Sequence, residues 1–73
     1  MIRKRFPFVS VCIPVFNGCN YIKDSINSVL EQNYTNFELL IVDNCSIDET
    51  KSIVENYNDE RIKYTRNNIK LEN

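Results

Sequence analysis

A chain of 73 residues makes one domain at most, and a chain of that size buries only about 60% of the surface its unfolded form exposes. Hydrophobic residues at 42%, charged residues at 26%, one glycine and two prolines exclude a disordered or low-complexity segment. A net charge of −1 with no histidine gives no broad basic surface for nucleic acid, and no apolar run approaches the roughly 20 residues of a membrane span.

The chain opens with Arg3, Lys4 and Arg5 followed by an apolar run from Phe6 to Phe16. This imitates the front of a secretory signal, with Cys19 in the place of a lipidated cysteine. Pro7 and Pro14 interrupt the run, and Asn17 and Gly18 make a poor cleavage site, so the basic residues read as a solvated tail over residues 1–8. Val9 to Val15 is short, β-branched and almost wholly apolar, as expected of a strand covered on both faces of a parallel sheet. Pro14 lies near its end, where a missing N–H is tolerated.

Asn17, Gly18 and Asn20 form a turn cluster, and Asn20 is the candidate N-cap of a helix. From Tyr21 to Gln32 the apolar Ile22, Ile26, Val29 and Leu30 fall on one face at the helical period. Asn33 to Asn36 breaks the pattern, and Phe37 to Val42 is a second apolar run of strand length, ending at Asp43 and Asn44.

Ser46 and Glu49 have the spacing of a capping box for a second helix, whose buried stripe would run through Ile47, Thr50, Ile53, Val54 and Tyr57. Arg61 to Thr65 alternates charged residues with Ile62 and Tyr64, like a short edge strand. Residues 66–73 show no period and read as loop, with 69–73 a C-terminal tail. Cys12, Cys19 and Cys45 are odd in number, lack C-x-x-C spacing and have no histidine to join them. Reduced thiols fit that pattern better than zinc or a disulfide framework.

Strands alternating with amphipathic helices imply an α/β fold, a three-stranded parallel β-α-β-α-β sheet. The carboxyl ends of the strands then share one edge, where open α/β sheets bind their ligands. Phe16 and Asn17, Asp43 to Ser46, and Arg66 to Asn68 meet there. An aromatic ring beside a carboxylate can grip a nucleoside, the ring stacking on the base and the acid accepting from base N–H or ribose hydroxyls. The residues alone favour a plainer reading, with Phe16 in the core and Asp43 a loop or helix-capping group.

A single glycine rules out G-x-G-x-x-G and P-loop phosphate cradles. The absence of histidine removes a Ser-His or Cys-His nucleophile from this segment. A thiolate at Cys45, beside the expected helix start, is a weaker redox candidate.

Three segments occur in order: V-S-V-C-I-P-V-F-N from Val9, I-N-S-V-L-E-Q from Ile26, and F-E-L-L-I-V-D-N-C-S-I-D-E-T from Phe37. Together they resemble the opening of family-2 glycosyltransferases, with the likeness running from about Val9 to Asn68 as a partial domain. The resemblance implies the N-terminal part of a GT-A, Rossmann-like domain that holds the nucleotide of an activated sugar. It implies a nucleotide-binding role for Pro14, Phe16, Asn17, Asp43, Asn44 and, secondarily, Asp48. Phe16 stands where tyrosine is common, and Asn44 where an acid commonly contacts the base.

The donor implied is a UDP-sugar foremost, or a dTDP-sugar, and the acceptor a saccharide or lipid-linked saccharide. The full enzyme is expected to be an inverting transferase of the cytoplasm, at the inner face of the membrane, in surface-polysaccharide synthesis. Its divalent metal (Mg or Mn) would be held by a D-x-D motif that does not occur in these residues, so the chain alone reads as catalytically incomplete. A non-catalytic nucleotide-binding module or an inactive remnant is the alternative. No nucleic-acid partner is expected, and the open sheet edges are expected to favour self-association.

Overall fold

The computed structural model describes residues 7–68. The basic cluster with its signal-like reading, and the C-terminal tail of 69–73, lie outside the described residues. Five elements follow in order: β1 (Val9–Val15), α1 (Ile22–Leu30), β2 (Phe37–Asn44), α2 (Thr50–Glu55) and β3 (Ile62–Asn67). The strands form one parallel sheet in the order β1-β2-β3, because each is joined to the next through a helix that carries the chain back to the starting edge.

The register places Val11 beside Leu39, Ile13 beside Ile41 and Val15 beside Asp43. It also places Ile41 beside Tyr64 and Asp43 beside Arg66. Since side chains alternate across a strand, these residues share one face. Both helices cover that face: Ile22 and Ile26 of α1 and Val54 of α2 join Val15, Phe37, Leu39 and Ile41 in the core. Ile22, Ile26, Leu39 and Ile41 are fully buried, each contributing about 1.5–3 kcal/mol relative to exposure. At the amino end of the strands the Arg61 guanidinium lies over the Phe37 ring, 4.7 Å from its centroid, and is paired with Asp59 at 2.8 Å.

The opposite face is a departure from the two-sided burial expected of the apolar strands. Ser10, Cys12 and Pro14 are exposed on it, and Leu40 and Val42 half-buried. Continuous apolar strands announce a second covering layer, and residues 7–68 supply only one.

The helix starts also differ from local reading. Asn20 does not cap α1; the Gly18 carbonyl instead accepts the Tyr21 N–H at 3.0 Å and the Ile22 N–H at 2.8 Å. The Ser46–Glu49 capping box does not form, because the Ser46 hydroxyl accepts the Asn17 N–H, 29 residues away. Helix α2 therefore begins at Thr50 with no side-chain cap, and Ile47, outside it, is 84% exposed. Strands β2 and β3 run on to Asn44 and Asn67, which pair with each other.

Candidate functional site

The carboxyl ends of the three strands converge as the sequence requires, and two loops drawn together there make a single surface. The loop after β1 turns at Asn17, whose φ of 48° is left-handed, a region that Asn tolerates better than most residues. The Asn17 N–H donates to Ser46 Oγ, and its Oδ1 accepts the Ile47 N–H, both at 2.8 Å. The Gly18 N–H donates to the buried Thr50 hydroxyl at 2.9 Å. The Cys19 N–H donates to Asp48 Oδ2 at 3.1 Å, while Asp48 Oδ1 accepts the Thr50 N–H at 2.9 Å. Five such bonds thus replace the water that loop amides would otherwise require.

Asp43 lies beneath this surface. Its carboxylate has no solvent exposure, and a buried charge of that kind demands donors. Oδ1 accepts the Ser46 N–H at 2.9 Å, and Oδ2 accepts the Tyr64 hydroxyl at 2.5 Å. The Arg66 guanidinium stands 3.5 Å from Oδ2. Burial by itself would raise the Asp43 pKa, and the hydrogen bonds from Ser46 and Tyr64 with the charge of Arg66 outweigh it, leaving the carboxyl below its ordinary 3.8. Tyr64 is pushed the other way, up to about 12, by burial and by its bond to Asp43. The Thr50 hydroxyl, with the Thr50 and Cys19 backbone N–H groups, holds Asp48 far below the ordinary carboxylate range.

The six residues picked from sequence therefore divide into two groups. The side-chain oxygens of Asn17, Asp43 and Asp48 accept backbone N–H groups of the two loops and hold them in shape. Pro14 is exposed on the uncovered face, Phe16 is 42% exposed at the end of β1, and half-buried Asn44 closes β2 on the uncovered face. The plainer reading of Phe16 as core is thus overturned, and Asp43 is a strand residue with no path to solvent. Cys45, next to Asn44, has a left-handed φ of 64°, and its thiol donates to the Asn68 carbonyl at 3.6 Å.

Sequence reasoning placed Arg66 on this edge but missed that Tyr64 and Arg66 serve Asp43. Their spacing of two on one strand, level with a strand-end acid, was the available signal. Ser46 has the spacing of a local cap, and its tertiary bond to Asn17 leaves no local mark in the sequence. Among the described residues no group of three or more His, Cys, Asp or Glu side chains is arranged to hold a metal ion. Nor is any described helix long and apolar enough to cross a membrane. A separate depression lies between α1 and α2, lined by Lys23, Asn27, Ile53, Asn56 and Tyr57.

The sequence model of the family described as Glycosyl transferase family 2 matches residues 10–72. The Escherichia coli protein named UDP-Glc:alpha-D-GlcNAc-diphosphoundecaprenol beta-1,3-glucosyltransferase WfgD is 44% identical over 59 residues, which cover 81% of this chain and 23% of the relative. An uncharacterized glycosyltransferase of Rickettsia prowazekii is 47% identical over 53 residues, 73% of this chain and 17% of the relative. Among solved structures, S. aureus TarS superimposes with a TM-score of 0.76 at 32% identity, covering 89% of this chain and 20% of that one. The chain spans less than a quarter of the length of each of these proteins.

Proposed function

The chain belongs to glycosyl transferase family 2, and we propose that the carboxyl edge of its sheet holds the nucleoside of a sugar-nucleotide donor. Residues 9–68 are the nucleotide-binding part of the transferase domain in this reading. The observation that carries it is Phe16: a large ring, 42% exposed, at the strand end where open α/β sheets bind ligands, beside two loops already fixed by hydrogen bonds. An exposed ring in so rigid a setting is a stacking platform for a base at little ordering cost.

Phe16, Pro14 and Asn44 line the site, while Asn17, Asp43 and Asp48 act by holding its loops. A carboxamide at Asn44 offers both a donor and an acceptor, so it matches uracil or thymine in one orientation and cytosine in the other. UDP is the leading donor nucleotide and dTDP the next. The relative WfgD, named for a UDP-glucose donor and a diphosphoundecaprenol-linked acceptor, supports a UDP-sugar and a lipid-linked saccharide. A lipid-linked acceptor of that kind supports work at a membrane, which we place at its cytoplasmic face.

The reaction proposed for the whole protein is displacement at the anomeric carbon with inversion. The acceptor hydroxyl oxygen bonds to that carbon, its proton passes to a base, and the bond to the nucleoside diphosphate breaks. The divalent metal implied by the family does not fit the carboxylates described here. Asp43 is sealed, and both oxygens of Asp48 are taken by loop donors. Metal ligands and base are accordingly assigned to residues other than 7–68.

Calorimetric titration of the chain with UDP, dTDP and CDP, with and without manganese, tests the reading. Binding with one preferred base, unaffected by manganese and weakened by Phe16→Ala, is the expected result. Absence of binding by a folded chain, or binding indifferent to Phe16→Ala, would count against it.

A further inference from the structure

Asp43 has no solvent exposure, yet Ser46, Tyr64 and Arg66 are all spent on it. Tyr64 sits opposite Ile41 on β3, with its ring packed against the core and its hydroxyl reaching one step along β2 to Asp43 Oδ2. The other carboxylate oxygen holds the Ser46 N–H, and between Asp43 and Ser46 lie Asn44 and the left-handed Cys45. The carboxylate therefore staples both ends of the segment that presents Asn44. Ser46 in turn accepts the Asn17 N–H, so the staple extends to the loop beside Phe16.

We propose that Tyr64 is a positioning residue of the nucleoside site, its hydroxyl locking Asp43 and, through Ser46, the loops that carry Asn44 and Phe16. The ligand side of this proposal rests on the nucleoside reading above. Without the hydroxyl, Asp43 loses the short bond at Oδ2, where Arg66 stands 3.5 Å away, beyond ordinary hydrogen-bond length. A buried carboxylate short of a donor must shift or take a proton. Either change loosens its hold on Ser46. A substitution that keeps the Tyr64 ring and removes its oxygen isolates the effect of this one donor.

The test compares wild type, Tyr64→Phe and Ile26→Val, the last removing a core methyl of α1 away from the edge. UDP affinity is read by calorimetry, stability by thermal unfolding, and the Cys45 and Ser46 amides by NMR on 15N-labelled chain without nucleotide. Tyr64→Phe is expected to weaken UDP binding about tenfold or more, as loss of a hydrogen bond to a charged group does, and to move or broaden both amide signals. Ile26→Val is expected to lower the melting temperature while leaving affinity and those amides as they were. Wild-type UDP affinity in Tyr64→Phe, or equal loss of affinity in the two variants at equal loss of stability, overturns the proposal. If wild type binds no UDP, the nucleoside reading falls, and the loop-locking role is decided by the Cys45 and Ser46 amides alone. Unchanged signals in Tyr64→Phe overturn it.

Discussion

Asn17 and Ile47 are 30 residues apart, and the carboxamide oxygen of the first accepts the backbone N–H of the second at 2.8 Å. That bond spans the two strand-end loops, and the left-handed backbone of Asn17 is what aims the carboxamide across the gap. Asn17→Ala removes the acceptor and places a less tolerant residue at positive φ. Denaturant unfolding is expected to show a loss of about 1–2 kcal/mol. Asn17→Asp, which keeps an acceptor oxygen, should lose less than half of that.

Gly18 is required by space. A Cβ there would stand 2.4 Å from Val15 Cγ2 and 2.7 Å from Tyr21 Cζ. Tyr21 is 46% exposed and can swing away, whereas Val15 is buried in the core and cannot. Gly18→Ala is therefore expected to destabilise the chain by about 1–3 kcal/mol, the usual range for overpacking. The same unfolding measurement checks it, and pairing the substitution with Val15→Ala should recover part of the loss.

Cys45 occupies a left-handed position, φ 64°, which costs a residue with a Cβ about 1–2 kcal/mol. Glycine adopts that conformation freely but loses about 0.5–1 kcal/mol more entropy on folding. The balance favours Cys45→Gly by about 0.5 kcal/mol or slightly more. Cys45→Val, with a branched Cβ, should go the other way, and the order of melting temperatures Gly, Cys, Val is the check.

Stability should fall at both extremes of pH. Asp48 and Asp59 have folded-state pKa values depressed from 3.8, Asp59 to about 2 through its bonds to Arg61. Groups of this kind contribute stability that is complete above the unfolded pKa and is lost as pH falls through the folded one. The acid limb should therefore begin near pH 4 and steepen toward pH 2, and Asp48→Asn should flatten it. Tyr64, raised from 10 to about 12, contributes stability that is complete below pH 10 and lost as pH rises through 12. Tyr64→Phe should remove that alkaline component. Thermal unfolding across the pH range reads both limbs.

The strands and helices were legible because their apolar spacing is a local signal. Val9 to Val15 and Phe37 to Val42 form the strands their apolar runs announce, though only one face of each is covered, and Ile22 and Ile26 of the helical stripe are buried. The shared edge followed from the alternation of strand and helix, and the exposed ring of Phe16 lies where that argument placed it. The start of α2 differs from the local pattern because Ser46 has two available partners. A capping box was the nearer in sequence, and the Asn17 N–H won. The burial of Asp43 is not legible for a related reason: only the register of β3 brings Tyr64 and Arg66 to its carboxylate. Local pattern reports which face an element buries, while the choice among tertiary hydrogen-bond partners is made by the assembled sheet.

Whether the carboxyl edge of the sheet is the nucleoside site is decided by an NMR titration of 15N-labelled chain with UDP. Shifts concentrated at Phe16, Asn17, Asn44, Cys45 and the end of β3 are expected, with little change along α1. Shifts centred on Lys23, Asn27 and Tyr57, in the depression between the helices, or an unchanged spectrum at saturating UDP, would contradict it.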